Sequence, residues 1–196
     1  MTNGKKLLKI ALIVLCAVAV FYIIFYLSIL SATSETKSSD NVNEYAELLN
    51  SVKGSNVHMP DVEELGDYQK ICINVKRTEN FMRWKIDTIS VQVAYDKTNF
   101  DKEINELQAA YVFLSENKQT VQDISATVKG YDIKIVEKEE MIEGEYCYYY
   151  PKCFMMIGID EQHNTIIYMY HYDIDLDEIK NLDKFVEKYF SFEQMK

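Results

Sequence analysis

Residues 10–30 (IALIVLCAVAVFYIIFYLSIL) form an unbroken uncharged run. As a helix rising about 1.5 Å per residue, the run is long enough to cross a hydrocarbon core of about 30 Å. Lys5, Lys6 and Lys9 precede it, and no acidic residue occurs before Glu35. The positive-inside rule then places residues 1–9 in the cytoplasm and everything beyond residue 30 outside. A secretory signal also begins with positive charge, but its apolar stretch is usually about 7–15 residues. The small residues Ser31, Ala32, Thr33 and Ser34 still offer a peptidase site. Cleavage there, leaving a secreted soluble domain, is the alternative to an anchor.

Beyond the run the pattern changes three times. Residues 31–41 (SATSETKSSDN) are polar and rich in Ser and Thr, and read as a stalk. Val42, Tyr45, Leu48 or Leu49, and Val52 recur at helical spacing, and Pro60, Asp61, Glu63 and Glu64 suit the first turn of another short helix closed by Gly66. Residues 31–66 are therefore expected to be a linker with short juxtamembrane helices. From Tyr68 the period becomes two. Ile71, Ile73 and Val75 alternate with polar residues, 81–86 is a second candidate strand, and Ile89, Val91, Val93 and Tyr95 form a third. Short polar turns between them favour an antiparallel meander.

Thr98 then opens a helix, with Asp101 completing a capping-box variant. Phe100, Ile104, Leu107, Tyr111 and Leu114 make one apolar stripe, while Asp101, Glu103, Glu106 and Gln108 lie elsewhere on the wheel. Residues 128–136 read as one strand around Gly130, and 137–145 as a charged loop. Residues 152–159 (KCFMMIGI) and 165–172 (TIIYMYHY) flank a polar turn and predict a hairpin. Asp175 or Asp177 can cap a last helix carrying Ile179, Leu182, Val186 and Tyr189. The expected architecture is α+β: a transmembrane helix, then a mainly antiparallel sheet with two helices packed on one face, residues 67–196 forming the outer domain.

Charge sharpens this picture. The chain of 196 residues carries 21 Lys+Arg and 31 Asp+Glu, a formal net charge of −10. Setting aside Lys5, Lys6 and Lys9 leaves the outer part 18 basic against 31 acidic residues, a net of −13. Such a balance argues against nucleic acid, whose phosphates need Lys and Arg. Anionic lipid headgroups would repel it, and cationic partners or metal ions would be drawn to it. Surface acids also serve solubility alone.

Catalytic signatures are sparse. The chain holds no GxSxG, HExxH, GxxxxGK[ST] or GxGxxG. No cofactor is implied. His58, His163 and His171 are scattered, and His163, His171 and Cys153 could meet across the hairpin only with a geometry a zinc site must supply in full. Asp173, Asp175 and Asp177 open like a calcium loop, but Glu178 and Lys184 stand where Gly and Glu are required. Thus no metal site is assigned.

Cys147 and Cys153 flank a Tyr-rich segment and could close a small disulfide loop worth about 2–3 kcal/mol, the alternative being two thiols. Cys72 reads as a small core residue and Trp84 as a core anchor. Tyr146, Tyr148, Tyr149 and Tyr150 cannot all face a core from so short a connection. They are the candidate binding residues for a protein or glycan, set against a purely structural turn.

The sequence thus predicts a single-pass membrane protein whose extracytoplasmic domain binds or scaffolds another envelope protein. The second reading is an envelope hydrolase acting on peptide or glycan through carboxylates near the Tyr-rich segment.

Overall fold

A computed structural model describes residues 3–30, 33–79, 85–117, 121–137, 153–173 and 179–195. Helix α1 (Asn3–Leu30) runs through the whole uncharged stretch. Every described side chain from residue 9 to residue 27 is exposed, Leu15 and Phe21 to 69% and 68%. Among the described residues no helix is long and apolar enough to cross a membrane.

Two residues after α1 the chain enters a seven-stranded sheet. Its strands are β1 (Thr33–Ser39), β2 (Lys70–Glu79), β3 (Lys85–Ala94), β4 (Ser125–Val128), β5 (Tyr131–Ile135), β6 (Cys153–Asp160) and β7 (Thr165–Asp173). The order across the sheet is β1-β2-β3-β7-β6-β5-β4, and all neighbours are antiparallel. The stalk expected over 31–41 is thus corrected: Thr33–Ser39 pairs along β2 from Glu79 to Ile73. Its polar sequence suits an edge, where unpaired backbone faces water and charges discourage aggregation. The two strands expected around 81–95 are a single strand, β3, with residues 81–84 outside the described part. The strand expected over 128–136 is two, β4 and β5. Lys129 (φ 50°) and Gly130 (φ 87°) form a two-residue turn with both residues left-handed, which turns the chain back on itself.

The helices lie on both faces, which corrects the expectation of one. Helices α2 (Tyr45–Ser51), α3 (Ser55–His58) and α4 (Lys97–Ala110) cover the face carrying Tyr168 and Tyr170. Tyr168 Oη donates to Glu103 Oε1 of α4 (3.1 Å), and Tyr170 Oη to the Lys53 carbonyl (2.9 Å). The opposite face is closed by α5 (Leu182–Tyr189) and the tail behind it. Thr88 Oγ1 donates to the Tyr189 carbonyl (3.0 Å), and Gln92 Nε2 to the Glu193 carbonyl (2.6 Å). Since β7 is sandwiched by both layers, all nine of its residues are buried. That is why its sequence is continuously apolar rather than alternating.

Local starts follow capping chemistry. Asp96, not Thr98, caps α4, its carboxylate accepting from the Asn99 amide (2.9 Å). Asp61 and Glu64 form a capping box at the turn Val62–Leu65. Residues 33–66 do not stand apart from the domain: Tyr45, Leu49, Val52 and Leu65 are in its core, and Tyr45 Oη donates to the Pro60 carbonyl (2.6 Å).

Candidate functional site

The candidate binding residues Tyr146, Tyr148, Tyr149 and Tyr150 lie outside the described residues, as does Cys147. So do Trp84 and the calcium-like stretch 174–178. Cys153 opens β6 opposite Tyr172. The three histidines do not converge. His58 stacks on Tyr170 under α3 (5.5 Å between centroids), His171 is buried beneath α5, and His163 sits at the β6–β7 turn. Among the described residues no three His, Cys, Asp or Glu side chains gather as metal ligands would.

The site that the sequence did not reveal is a trough of about 530 Å³ on the α4 face. Among the described residues, α4 covers the centre of the sheet and leaves the outward face of β4 and β5 open. Ile104 and Gln108 of α4 form one wall, and Ile159 with the outward residues Thr127, Asp132 and Lys134 forms the floor. Strand β5 alternates buried and exposed along its length, so the Asp132 and Lys134 side chains are exposed at the trough while Tyr131, Ile133 and Ile135 are buried, Ile133 still bordering it. The volume lies within the range of ligand sites, about 300–1,000 Å³.

Charge in the trough is only partly answered. Thr127 Oγ1 donates to Asp132 Oδ1 (2.8 Å), and the Lys134 ammonium lies 5.9 Å from the Phe113 ring centroid. Glu161 extends the acidic rim from the β6–β7 turn. Apolar walls with a few polar groups on a rigid sheet can hold an extended ligand in one register.

Behind α4 lies the buried carboxyl of Glu103. Burial pushes its pKa up, and the bond from Tyr168 offsets only part of that. Tyr95 Oη donates to the Leu65 carbonyl (2.8 Å) beside it, and its pKa too is raised by burial and by Glu103. Glu103 is not among the trough residues. Among the described residues, this raised carboxyl and the trough are therefore separate.

At the same end of the sheet, on the opposite face, Asp160 holds the β6–β7 turn. Its Oδ1 accepts from the amides of Gln162 (3.0 Å) and His163 (3.2 Å), and its Oδ2 meets His163 Nδ1 (2.8 Å) and Gln194 Nε2 (3.1 Å). Burial alone would push the Asp160 pKa up; the hydrogen bonds from His163 and Gln194 outweigh it and hold it below the usual carboxylate value. This is the chemistry of a pinned turn. Against known proteins, the chain matches no family model, no curated protein and no solved structure.

Proposed function

We propose that the chain is a single-pass membrane protein, N-terminus cytoplasmic, whose outer domain binds another envelope protein through the α4 trough. The observation that carries the anchor is α1 itself. One helix contains the uncharged run 10–30, and each described apolar side chain along it is exposed. Leaving these apolar side chains in water is costly, at roughly 25 cal/mol per Å², and lipid removes that cost. The three lysines ahead of the run set the direction.

Strand register supports the placement of the binding site. Residue Thr33, next to α1, pairs with Glu79, and β3 and β7 carry that end of the sheet on to Cys153 of β6. Asp132, Thr127 and Glu161 lie toward the other end, beyond Ile159. The trough is thus displaced from the anchor by most of a strand, about 20 Å at 3.3 Å per residue. A partner in the space beyond the membrane reaches it before lipid does. The net −13 of the outer part points the same way, since it disfavours anionic headgroups.

The test has two readouts. First, alkaline extraction of membranes should leave the intact chain in the pellet, with residues 1–30 retained by mass. Recovery of a soluble chain lacking them would establish the secreted alternative. Second, a photocrosslinker at Glu161 in intact cells should give a discrete adduct that one at Asn50 does not. A blank at Glu161, with good labelling yield, would remove the trough from the proposal.

A further inference from the structure

The layer under α5 contains a group that the binding reading does not use. The His171 side chain is fully buried, and among the described residues neither ring nitrogen has a hydrogen-bond partner. Aromatic rings enclose it: Phe185 at 4.8 Å between centroids, Tyr189 at 4.9 Å, Phe154 at 5.4 Å and Phe190 at 6.4 Å. Three of these four rings belong to α5 and the residue after it.

We infer that α5 and the tail through Phe192 form an acid-released cover on the sheet, with His171 as its trigger. Only a neutral imidazole is tolerated in this box. A charged ring without a partner would need either water or a carboxylate, and water can arrive only if the cover lifts.

The surroundings decide how far acid must go. From α5, Lys188 adds positive potential, its ammonium held at Tyr189 Oη (2.8 Å). From β2, Lys76 Nζ donates to the Lys188 carbonyl (2.9 Å). From β3 come Thr88 and the buried Ser90, and from β6 the ring of Phe154. Asp173, two residues on along the same face of β7, is the acidic group nearest in register among the described residues. Burial first, and Lys188 second, push the His171 pKa from 6.5 down to about 3.

Release can be confined to this layer. An eight-residue helix has no stability of its own. Its hold on the sheet is the burial of Leu182, Phe185 and Val186, with the bonds from Thr88 and Lys76. The other face keeps α2 and α4, whose contacts do not pass through His171. Lifting the cover would bare Phe154, Met156 and Met169, an apolar strip across β6 and β7.

The opened imidazole titrates near its ordinary value, so opening is favoured about tenfold for each pH unit below about 6.5, roughly 100-fold at about pH 4.5. Amide exchange of the full-length chain in detergent micelles tests this at about pH 7.5 and about pH 4.5, corrected for the intrinsic rate. Protection over 182–192 should fall roughly 100-fold relative to residues 97–110, and His171→Leu should abolish the difference. A parallel change in both segments, or a difference that survives in His171→Leu, overturns the inference. Should that variant not fold, the wild-type imidazole resonance decides: a ring that takes a proton while 182–192 stays protected also overturns it.

Discussion

Glu103 is charged in the unfolded chain at neutral pH but sits against Tyr168 and Tyr95 in the fold. Its raised pKa means that the folded state prefers the protonated acid. The contribution is fully present below the ordinary carboxyl value of 4.5 and is lost as pH rises through the folded value. Glu103→Gln keeps an oxygen to accept from Tyr168 and carries no charge. It should raise the thermal midpoint at about pH 7.5 and leave it nearly unchanged at about pH 3.5. Equal effects at the two values would mean that the carboxyl is solvated. Gly158 poses a different constraint. A Cβ there would stand 2.7 Å from Ile167 Cγ2 and 3.0 Å from Ile133 Cγ1. Both neighbours are fully buried core side chains. Gly158→Ala should cost about 1–3 kcal/mol in urea unfolding with an unchanged m-value; a neutral result would show that β5 can shift away from β6.

At the level of elements, the sheet begins earlier in the chain than its hydrophobic pattern declares. A strand of TSETKSS has no apolar alternation, so it reads as stalk, and only its pairing with β2 reveals it. The consequence is testable with two fragments. One starting at residue 33 should unfold cooperatively. One starting at residue 67 lacks β1, α2 and the core side chains Tyr45, Leu49, Val52 and Leu65, and should behave as a loosely packed chain that binds hydrophobic dyes. Cooperative unfolding of the shorter fragment would make residues 33–66 an accessory. The helix over 97–110 was legible because Phe100 and Leu107 repeat with the helical period and are both buried. The hairpin of β6 and β7 was legible from two apolar runs around a polar turn. Glu103 was not, because its burial depends on where α4 lands on β7 and on two tyrosine hydroxyls waiting there. The trough was equally hidden. It is made by what α4 fails to cover, and no residue pattern in β4 or β5 announces an uncovered face. The sides taken by the two long outer helices were inferable only in part: the continuous apolar run of β7 signals cover on both faces, but not which helix supplies it.

For the whole molecule, β7 joins two layers that answer acid in opposite directions. Tyr168 presents Glu103 to one face, and three residues on His171 is closed in by the other. As pH falls below 6.5 the unfolded chain binds a proton that folded His171 refuses until about 3, so stability declines by up to about 1.4 kcal/mol per unit. As pH rises above 4.5 the unfolded chain releases a proton that folded Glu103 retains, so stability declines in the other sense. Just above 4.5 the two slopes oppose each other. Asp160 stays out of this window, because its lowered pKa takes effect only below about 3.8. The prediction is a cycle of four chains measured by urea unfolding from about pH 4.5 to about pH 6.5. The wild type should show a shallower dependence than either single variant. Glu103→Gln should lose stability steeply toward acid, His171→Leu should gain it, and the double variant should be nearly flat. The two groups lie on opposite faces and share no hydrogen bond, so the slopes should add. Slopes that fail to add would mean that the layers are coupled through β7, and that the cover over His171 cannot lift without disturbing the packing of α4.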